Sequence, residues 1–187
     1  MHCDIKPENI MLKEEHKTGI KVIDMGSGCF EGKQLYTYIQ SRFYRAPEIV
    51  LGVRYTTAID MWSFGCVLAE LQKGYPIFPG KDENEQMLLY LELLGNPPKH
   101  LLDQAQRRKK FFDSNYECKL IQTKNNKKRT FENTLKTKDE LFIDLIKKCL
   151  EWDPEKRIKP QEALTHSWIL ESLPTSLRTR HKQEVIG

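Results

Sequence analysis

The segment that most constrains the fold covers residues 58–71, where most side chains are apolar. Thr57 can cap a helix that begins there, and Asp60 follows in its first turn. The apolar members are Met61, Trp62, Phe64, Cys66, Val67, Leu68 and Leu71. A helix that is apolar around most of its circumference must be covered by neighbouring elements. The sequence therefore predicts a central, buried helix in a mainly helical domain.

Two further segments have well-marked helical patterns. One covers residues 83–94, which Asp82 precedes as a cap and Gly95 follows as a stop signal. The other covers residues 139–151, where apolar side chains recur on one face and lysines lie on the opposite face. The first helix therefore has well-marked ends, and the second is predicted to be an amphipathic packing helix.

A fourth helix and a short hairpin complete the predicted elements. The helix covers residues 160–170, begins with a proline at its first position, and buries Ala163, Leu164 and Trp168. Short β-type runs at residues 10–13 and 20–24 flank a charged connector that contains glycine. This arrangement predicts a hairpin-like pair of strands.

Three segments lack a sustained hydrophobic period. Residues 30–52 predict a long ordered loop, and loops of this length are usually functional. Residues 96–136 are basic and polar, with the runs RRKK and KNNKKR, and predict an exposed insertion. Residues 171–187 predict a flexible tail.

Composition excludes several classes of protein. The 187 residues suit one domain, and 30 basic against 26 acidic side chains give a charge of +4, too mild to indicate nucleic-acid binding by itself. Five scattered cysteines predict neither a disulfide framework nor a zinc site, which fits the cytoplasm or nucleus. No stretch has the length of a membrane span or a secretory signal, so we expect no membrane partner.

The chemistry is concentrated at the start of the chain. Asp4, Lys6 and Asn9 lie within six positions, and Asp24 follows a predicted strand and precedes Gly26. Phosphoryl transfer needs a carboxylate beside the attacking hydroxyl, a cation near the moving phosphate, and oxygen ligands for Mg²⁺. Asp4 and Asn9 taken alone could instead be turn or helix caps.

The order of motifs resembles that of protein kinases. Residues 2–9 read HCDIKPEN and resemble the catalytic loop H-R-D-L-x-x-x-N, residues 24–26 resemble D-F-G, and residues 46–48 are A-P-E. Residues 60–65 and 152–157 resemble the central helix and the arginine-containing segment that follow in kinases. The resemblance covers residues 1–170 and implies the helical C-lobe, with a short β-hairpin bearing the catalytic and metal loops.

Details narrow the resemblance to the dual-specificity tyrosine-phosphorylation-regulated kinases, the DYRK family of the CMGC group. They are Cys3 in place of arginine, the run YTYIQSRFYR at residues 36–45, and the sequences GYPIFPG and LELLGNPP. The resemblance implies protein substrates, ATP and Mg²⁺, with Asp4 as catalytic base, Lys6 beside the phosphate, and Asn9 and Asp24 as metal ligands.

The same resemblance assigns residues 24–48 to an activation segment and residues 96–136 to a CMGC-type insertion. Tyr38 would be the autophosphorylated residue, and Arg42 and Arg45 would bind its phosphate, because guanidinium groups bind phosphate in a bidentate manner. Ser41 would line the substrate side. Structural support would come from Asp60, which would hold amides of the catalytic loop, and from a buried pair of Glu48 with Arg157.

The 187 residues contain no Gly-rich loop and no strand lysine paired with a helix glutamate, the N-lobe parts that hold ATP. We therefore expect the chain alone to be inactive and to bind ATP only if an N-lobe is supplied. The exposed apolar surface that an N-lobe covers should also promote aggregation. A non-catalytic remnant that binds substrates or partners is the alternative, and a nucleic-acid module at residues 107–129 is a weaker one.

Overall fold

The computed structural model describes residues 1–34, 36–120 and 129–174. This part of the chain is mainly helical, with one two-stranded sheet. None of its helices is both long enough and apolar enough to cross a membrane. The helices are α1 (Pro47–Leu51), α2 (Ala58–Lys73), α3 (Glu83–Leu94), α4 (Lys99–Gln104), α5 (Arg108–Phe111), α6 (Phe131–Leu135), α7 (Glu140–Cys149), α8 (Pro160–Leu164) and α9 (Ser167–Ser172).

The predicted central helix is confirmed as α2. Ile59 and Trp62 are fully buried, and α7 crosses α2 so closely at Gly65 that a Cβ there would lie 2.6 Å from the Cβ of Cys149. The helix ends at Gly74, whose φ of 89° suits glycine. The expectation of burial is wrong at Leu71, which is 73% exposed because it lies on the face that no neighbour covers.

An aromatic cluster joins α2 to the segments beyond it. Tyr90 on α3 packs edge-on against Trp62 and Phe78, with ring centroids 5.2 and 4.8 Å away. Its buried hydroxyl donates a hydrogen bond of 2.7 Å to the carbonyl of Arg45. A buried tyrosine needs such a partner, and this one fixes the loop before α1 against the core.

The predicted hairpin is present but shorter than expected. Strands β1 (Ile10–Leu12) and β2 (Ile20–Val22) pair antiparallel, with Ile10 opposite Val22. Met11, Leu12 and Ile20 are each more than half exposed. The hairpin therefore presents an apolar face to solvent.

The helix bounds at 83–94 are confirmed, and the predicted 139–151 helix is found as Glu140–Cys149. Asp82 and Asp139 each accept a hydrogen bond of 2.9 Å from an amide in the first turn of α3 or α7. The predicted helix at 160–170 is instead two helices, because the chain turns at His166, whose side chain caps α9. Leu164, predicted to be buried, is 44% exposed.

Two predictions about irregular segments are wrong. Residues 30–52 are not loop throughout, because Pro47 begins α1. Residues 96–120 and 129–136 are not exposed throughout, because α4, α5, α6 and the residue after α5 bury the side chains of Leu101, Leu102, Phe111, Phe112 and Leu135. These helices are only four to six residues long, too short for a periodic pattern to emerge from the sequence. Residues 121–128 and most of the predicted tail lie outside the described residues.

Candidate active site

The residues of the predicted catalytic loop are positioned by a short 3₁₀ helix. Pro7 begins this helix, and Asn9 ends it with its side chain almost fully buried. The Asn9 amide nitrogen donates hydrogen bonds to the carbonyl of Asp4 at 2.9 Å and to its carboxylate at 3.4 Å. The chain therefore folds back so that Lys6 and Asn9 both contact Asp4.

The Asp4 carboxylate is the centre of this arrangement. Lys6 Nζ lies 2.6 Å from Oδ2, and the backbone amide and hydroxyl of Ser41 donate to Oδ1 at 3.1 and 2.7 Å. Partial burial disfavours the charge, but the hydrogen bonds from Lys6 and Ser41 prevail and lower the pKa of Asp4. The side chain is thus an ionised acceptor that already holds one hydroxyl.

Lys6 links the predicted catalytic loop to the predicted activation segment. Its Nζ lies 3.1 Å from the Ser41 hydroxyl as well as beside Asp4. The hydrogen bond to Asp4, partly offset by burial, raises the pKa of Lys6, so the ammonium group stays charged. A positive charge and an ionised carboxylate therefore lie side by side, and their side chains are only 23% and 16% exposed.

The loop is held from below by α2. Asp60 accepts hydrogen bonds from the backbone amides of His2 at 2.7 Å and Cys3 at 2.9 Å. The imidazole Nε2 of His2 lies 2.9 Å from the Ile23 carbonyl, next to β2. Cys3 takes a left-handed conformation with φ 67°, which the two contacts to Asp60 help to hold.

The hairpin brings Asp24 towards Asn9. The Ile23 amide donates to the Asn9 carbonyl at 2.9 Å. Asp24, the next residue after Ile23, therefore lies close to the Asn9 backbone. Asp24 has φ 62°, is exposed, and accepts a hydrogen bond of 3.2 Å from the Gly26 amide. The Asn9 amide oxygen and the Asp24 carboxylate are the hard oxygen donors that Mg²⁺ prefers, so these residues fit that ion. Among the described residues, no group of three or more His, Cys, Asp or Glu side chains could hold a metal.

Arg42 and Arg45 were both predicted to lie beside Tyr38, and only Arg45 does so. Tyr38 is 54% exposed, and Arg45 Nη1 donates to its hydroxyl at 2.6 Å. Arg45 is itself buried and donates to the carbonyls of Ile39 and Gln40. The structure places Arg42 elsewhere, with its guanidinium donating to the carbonyl of Lys81.

The predicted structural pair of Glu48 and Arg157 is in place. Arg157 binds both carboxylate oxygens of Glu48, at 2.7 and 2.9 Å, and both side chains are completely buried. Arg157 also donates to the carbonyls of Ala58 and Glu151. One guanidinium therefore joins α1, the start of α2 and the segment after α7.

Sequence reasoning missed Gln40 and Cys29. The buried Gln40 amide donates to the Ile59 carbonyl and the Ser63 hydroxyl and accepts from the Ala46 amide, which fixes the activation segment on α2. The Cys29 sulfur lies 3.7 Å from that of Cys3, and burial raises the pKa of Cys3 to about 12. Gln40 lay within the quoted run YTYIQSRFYR, but no local pattern predicts either contact.

Comparison with known proteins agrees with this geometry. The protein kinase domain model matches residues 1–169. The chain is 50% identical over 201 residues to rat dual specificity tyrosine-phosphorylation-regulated kinase 3, covering 96% of this chain and 34% of the relative. It is 49% identical over 187 residues to dual specificity tyrosine-phosphorylation-regulated kinase 2 of Drosophila melanogaster. This match covers 97% of this chain and 25% of the relative.

A third relative is the Caenorhabditis elegans dual specificity tyrosine-phosphorylation-regulated kinase mbk-2. It is 46% identical over 200 residues, which cover 95% of this chain and 24% of the relative. The chain thus spans about a quarter to about a third of the length of these three relatives. The chain belongs to the protein kinase domain family, within the dual-specificity tyrosine-phosphorylation-regulated kinases of the CMGC group.

Proposed function

We propose that residues 1–170 form the helical C-lobe of a kinase that transfers the γ-phosphoryl group of ATP to serine or threonine hydroxyls of protein substrates. The observation that carries this proposal is the hydroxyl of Ser41, 2.7 Å from the Asp4 carboxylate. A substrate hydroxyl in that place would meet an ionised acceptor, which is what a catalytic base requires. Ser41 would give way to the substrate or line its path.

Each neighbouring group has a role in this chemistry. Lys6 would place its charge beside the transferred phosphoryl group, since its ammonium lies between Asp4 and Ser41. Asn9 and Asp24 would hold Mg²⁺ through oxygen atoms. When bound, Mg²⁺ would neutralise charge on the nucleotide phosphates. Asp60 would keep the loop in place through two backbone amides.

The activation segment would be regulated through Tyr38. Its hydroxyl already lies 2.6 Å from Arg45 Nη1, so a phosphate added there would lie within reach of a buried cation. Tyr38 would be modified by the kinase itself. Arg42 would have to leave the Lys81 carbonyl to join Arg45 at this phosphate.

The nucleotide-holding parts would come from outside residues 1–187. A Gly-rich loop and a paired strand lysine are absent from this sequence, and positioning supplies most of the catalysis in phosphoryl transfer. We therefore propose that the chain is inactive by itself and binds ATP only beside an N-lobe. The apolar face of the hairpin supports this, because an N-lobe would cover it.

The test is a graft of residues 1–187 behind the Gly-rich-loop segment of the rat relative. The wild-type graft should phosphorylate a serine substrate in the presence of ATP and Mg²⁺. Asp4→Asn should lower kcat by about 10²- to 10⁴-fold, the usual contribution of a general base. Asp103→Asn, which changes an exposed carboxylate on α4, serves as the matched control and should keep activity.

An active D4N graft would contradict the assignment of Asp4. A folded wild-type graft without activity would favour the alternative, in which the chain is a non-catalytic module that binds substrates or partners. Circular dichroism of both grafts would establish that they are folded.

A further inference from the structure

A second polar site lies at the far end of α2. We call it the basic pocket, a cavity of about 420 Å³. Its lining residues are Lys73, Tyr75, Pro76, Ile77, Pro79, Leu89, Glu92, Arg129, Asn133 and Thr134. Lys73 lies thirteen residues after Asp60, which places it roughly 20 Å along the helix from the catalytic loop. The basic pocket is therefore distinct from the candidate active site.

Arg129 has an incompletely satisfied guanidinium group in this pocket. Its Nη2 donates to the Ile77 carbonyl at 3.0 Å. Its Nη1 is buried and has no hydrogen-bond partner among the described residues, and its closest acidic oxygen, on Glu92, is 4.0 Å away. A buried charged donor without an acceptor is costly, so a ligand that supplies an acceptor to Arg129 Nη1 would be stabilised there.

Two lysines add positive charge beside Arg129. Lys73 Nζ lies 4.0 Å above the ring of Tyr75, and Lys136 Nζ lies 5.2 Å from the same ring. Burial, with repulsion from Arg129 and Lys136, lowers the pKa of Lys73 to about 8. An anion placed among these three cations would relieve their repulsion.

Nearby carboxylates do not cancel this charge. Glu92 lies at 4.0 Å from Arg129 and is more than one-third exposed. Glu70 lies one turn before Lys73, but its carboxylate accepts a hydrogen bond of 2.6 Å from the Tyr44 hydroxyl. With Lys73, Lys136 and Arg129 against these two acids, the pocket keeps a net positive charge.

The walls combine polar and apolar groups. Asn133 and Thr134 line one side with an amide and a hydroxyl, while Ile77, Pro79 and Leu89 supply apolar surface. A phosphate group offers three acceptor oxygens and a charge between about −1.5 and −2 at neutral pH, which suits several donors better than a carboxylate does. The apolar surface suits a side chain next to the phosphorylated residue.

We propose that the basic pocket binds a phosphorylated serine of a peptide, with the phosphate between Lys73 and Arg129 and a neighbouring apolar side chain against Ile77 and Leu89. Lys136 would approach the phosphate from the rim, and Glu92 would turn away from Arg129. The site is independent of the proposed phosphoryl transfer, so its test uses binding alone.

The probes are acetyl-Leu-phosphoSer-Leu-amide, its unphosphorylated form, and inorganic phosphate, each titrated into the ¹⁵N-labelled 187-residue chain and followed by NMR. We expect saturable shifts of the Tyr75, Asn133 and Thr134 amides with the phosphopeptide. Lys73→Met should weaken its binding by about tenfold, as loss of one charge-assisted contact would. Glu92→Gln should strengthen binding, because it removes a competing acid.

Lys109→Met is the control, because Lys109 is a helical lysine that lies away from the basic pocket, on α5, and is exposed. It should leave the affinity unchanged. Lys136→Gln, an exposed substitution that should not disturb folding, should weaken binding by a smaller factor. Equal weakening by K109M, absence of saturable shifts, or equal affinity for inorganic phosphate and the phosphopeptide would each overturn the proposal.

Discussion

Two neighbouring regions of the candidate site differ sharply in how firmly they are held. One, which we call the floor, consists of Asp4 with Lys6 and Ser41, and the other is the hairpin. Asp4 is bound by Lys6 and Ser41 and lies on a loop anchored by Asp60. The hairpin residues from 10 to 23 have short strands and an exposed apolar face, and Asp24 after them accepts one local hydrogen bond, from the Gly26 amide. Asp4 and Lys6, which would act on the substrate hydroxyl, are thus fixed by hydrogen bonds. The hairpin and Asp24, which would face the nucleotide, are exposed.

This difference follows from where each region obtains its contacts. The floor draws its partners from α2 and the activation segment, both within this chain. In the hairpin, Ile10 at the start of β1 packs against the core. The side chains of Met11, Leu12 and Ile20 are each more than half exposed. The contacts that hold the loop at residues 2–9 therefore come from within the described chain, whereas the apolar side chains of the hairpin are left exposed.

The largest effect should come from breaking the buried ion pair that joins α1, the start of α2 and the segment after α7. Arg157→Met leaves the Glu48 carboxylate buried and unpaired, and should lower the free energy of unfolding by about 3–5 kcal/mol in urea denaturation. The double variant Glu48→Leu with Arg157→Met should recover most of this loss, since no charge is then stranded.

The matched control lies in the hairpin. Lys17→Met removes the exposed pair with Glu14 and should change the free energy of unfolding by less than about 0.5 kcal/mol. If the two single variants lower the free energy of unfolding equally, the proposed contrast between the tightly held helical core and the exposed hairpin is incorrect.

An intermediate effect is expected at the ion pair between Glu83 on α3 and Arg107, the residue before α5. Hydrogen bonds from Arg107, opposed by partial burial and aided by Lys110, lower the pKa of Glu83 to about 2. Because the folded pKa lies below the unfolded value, this stabilisation is present above about pH 4.5 and is lost as the pH falls towards 2. Arg107 is one-third exposed, which reduces the contribution to about 2 kcal/mol.

Glu83→Gln measures that contribution. At pH 7 the variant should be less stable than the wild type by this amount, and between pH 4.5 and 2 its stability should fall less steeply. Parallel pH curves for the two proteins in urea denaturation would show that Glu83 does not supply the dependence.

The smallest effect on stability is expected at the hairpin face. Leu12 is 61% exposed, so Leu12→Lys should change the free energy of unfolding by less than about 0.5 kcal/mol. It should nevertheless reduce aggregation of the isolated chain, because it breaks the exposed apolar patch. Light scattering measures this, with Leu71→Lys on α2 as control. If L71K reduces aggregation as strongly as L12K, the hairpin face is not the cause.

Much of the fold could be predicted from local sequence signals. Caps at Asp82 and Asp139 marked two helices because each acts on amides within its own first turn. Pro47 began a helix that the aperiodic sequence around it concealed. The short helices between residues 99 and 135 were missed because their burial depends on tertiary neighbours rather than on a sustained pattern.

The candidate site divides in the same way. Asp4, Lys6 and Asn9 are close in sequence, so one loop motif predicted their proximity. Arg42 contacts the Lys81 carbonyl in place of Tyr38, and Gln40 bonds to α2, because the path of the activation segment decides both. Contacts between distant segments of this kind have no local signature.

The most direct measurement compares phosphate incorporation by the isolated 187-residue chain with that by the graft carrying the Gly-rich-loop segment of the rat relative. Both proteins would be incubated with γ-labelled ATP and Mg²⁺, and label on Tyr38 and on a serine substrate would be quantified. We predict incorporation by the graft and none by the isolated chain. Equal incorporation by the two proteins would contradict our account, in which the chain holds Asp4 in place but needs further residues to hold ATP.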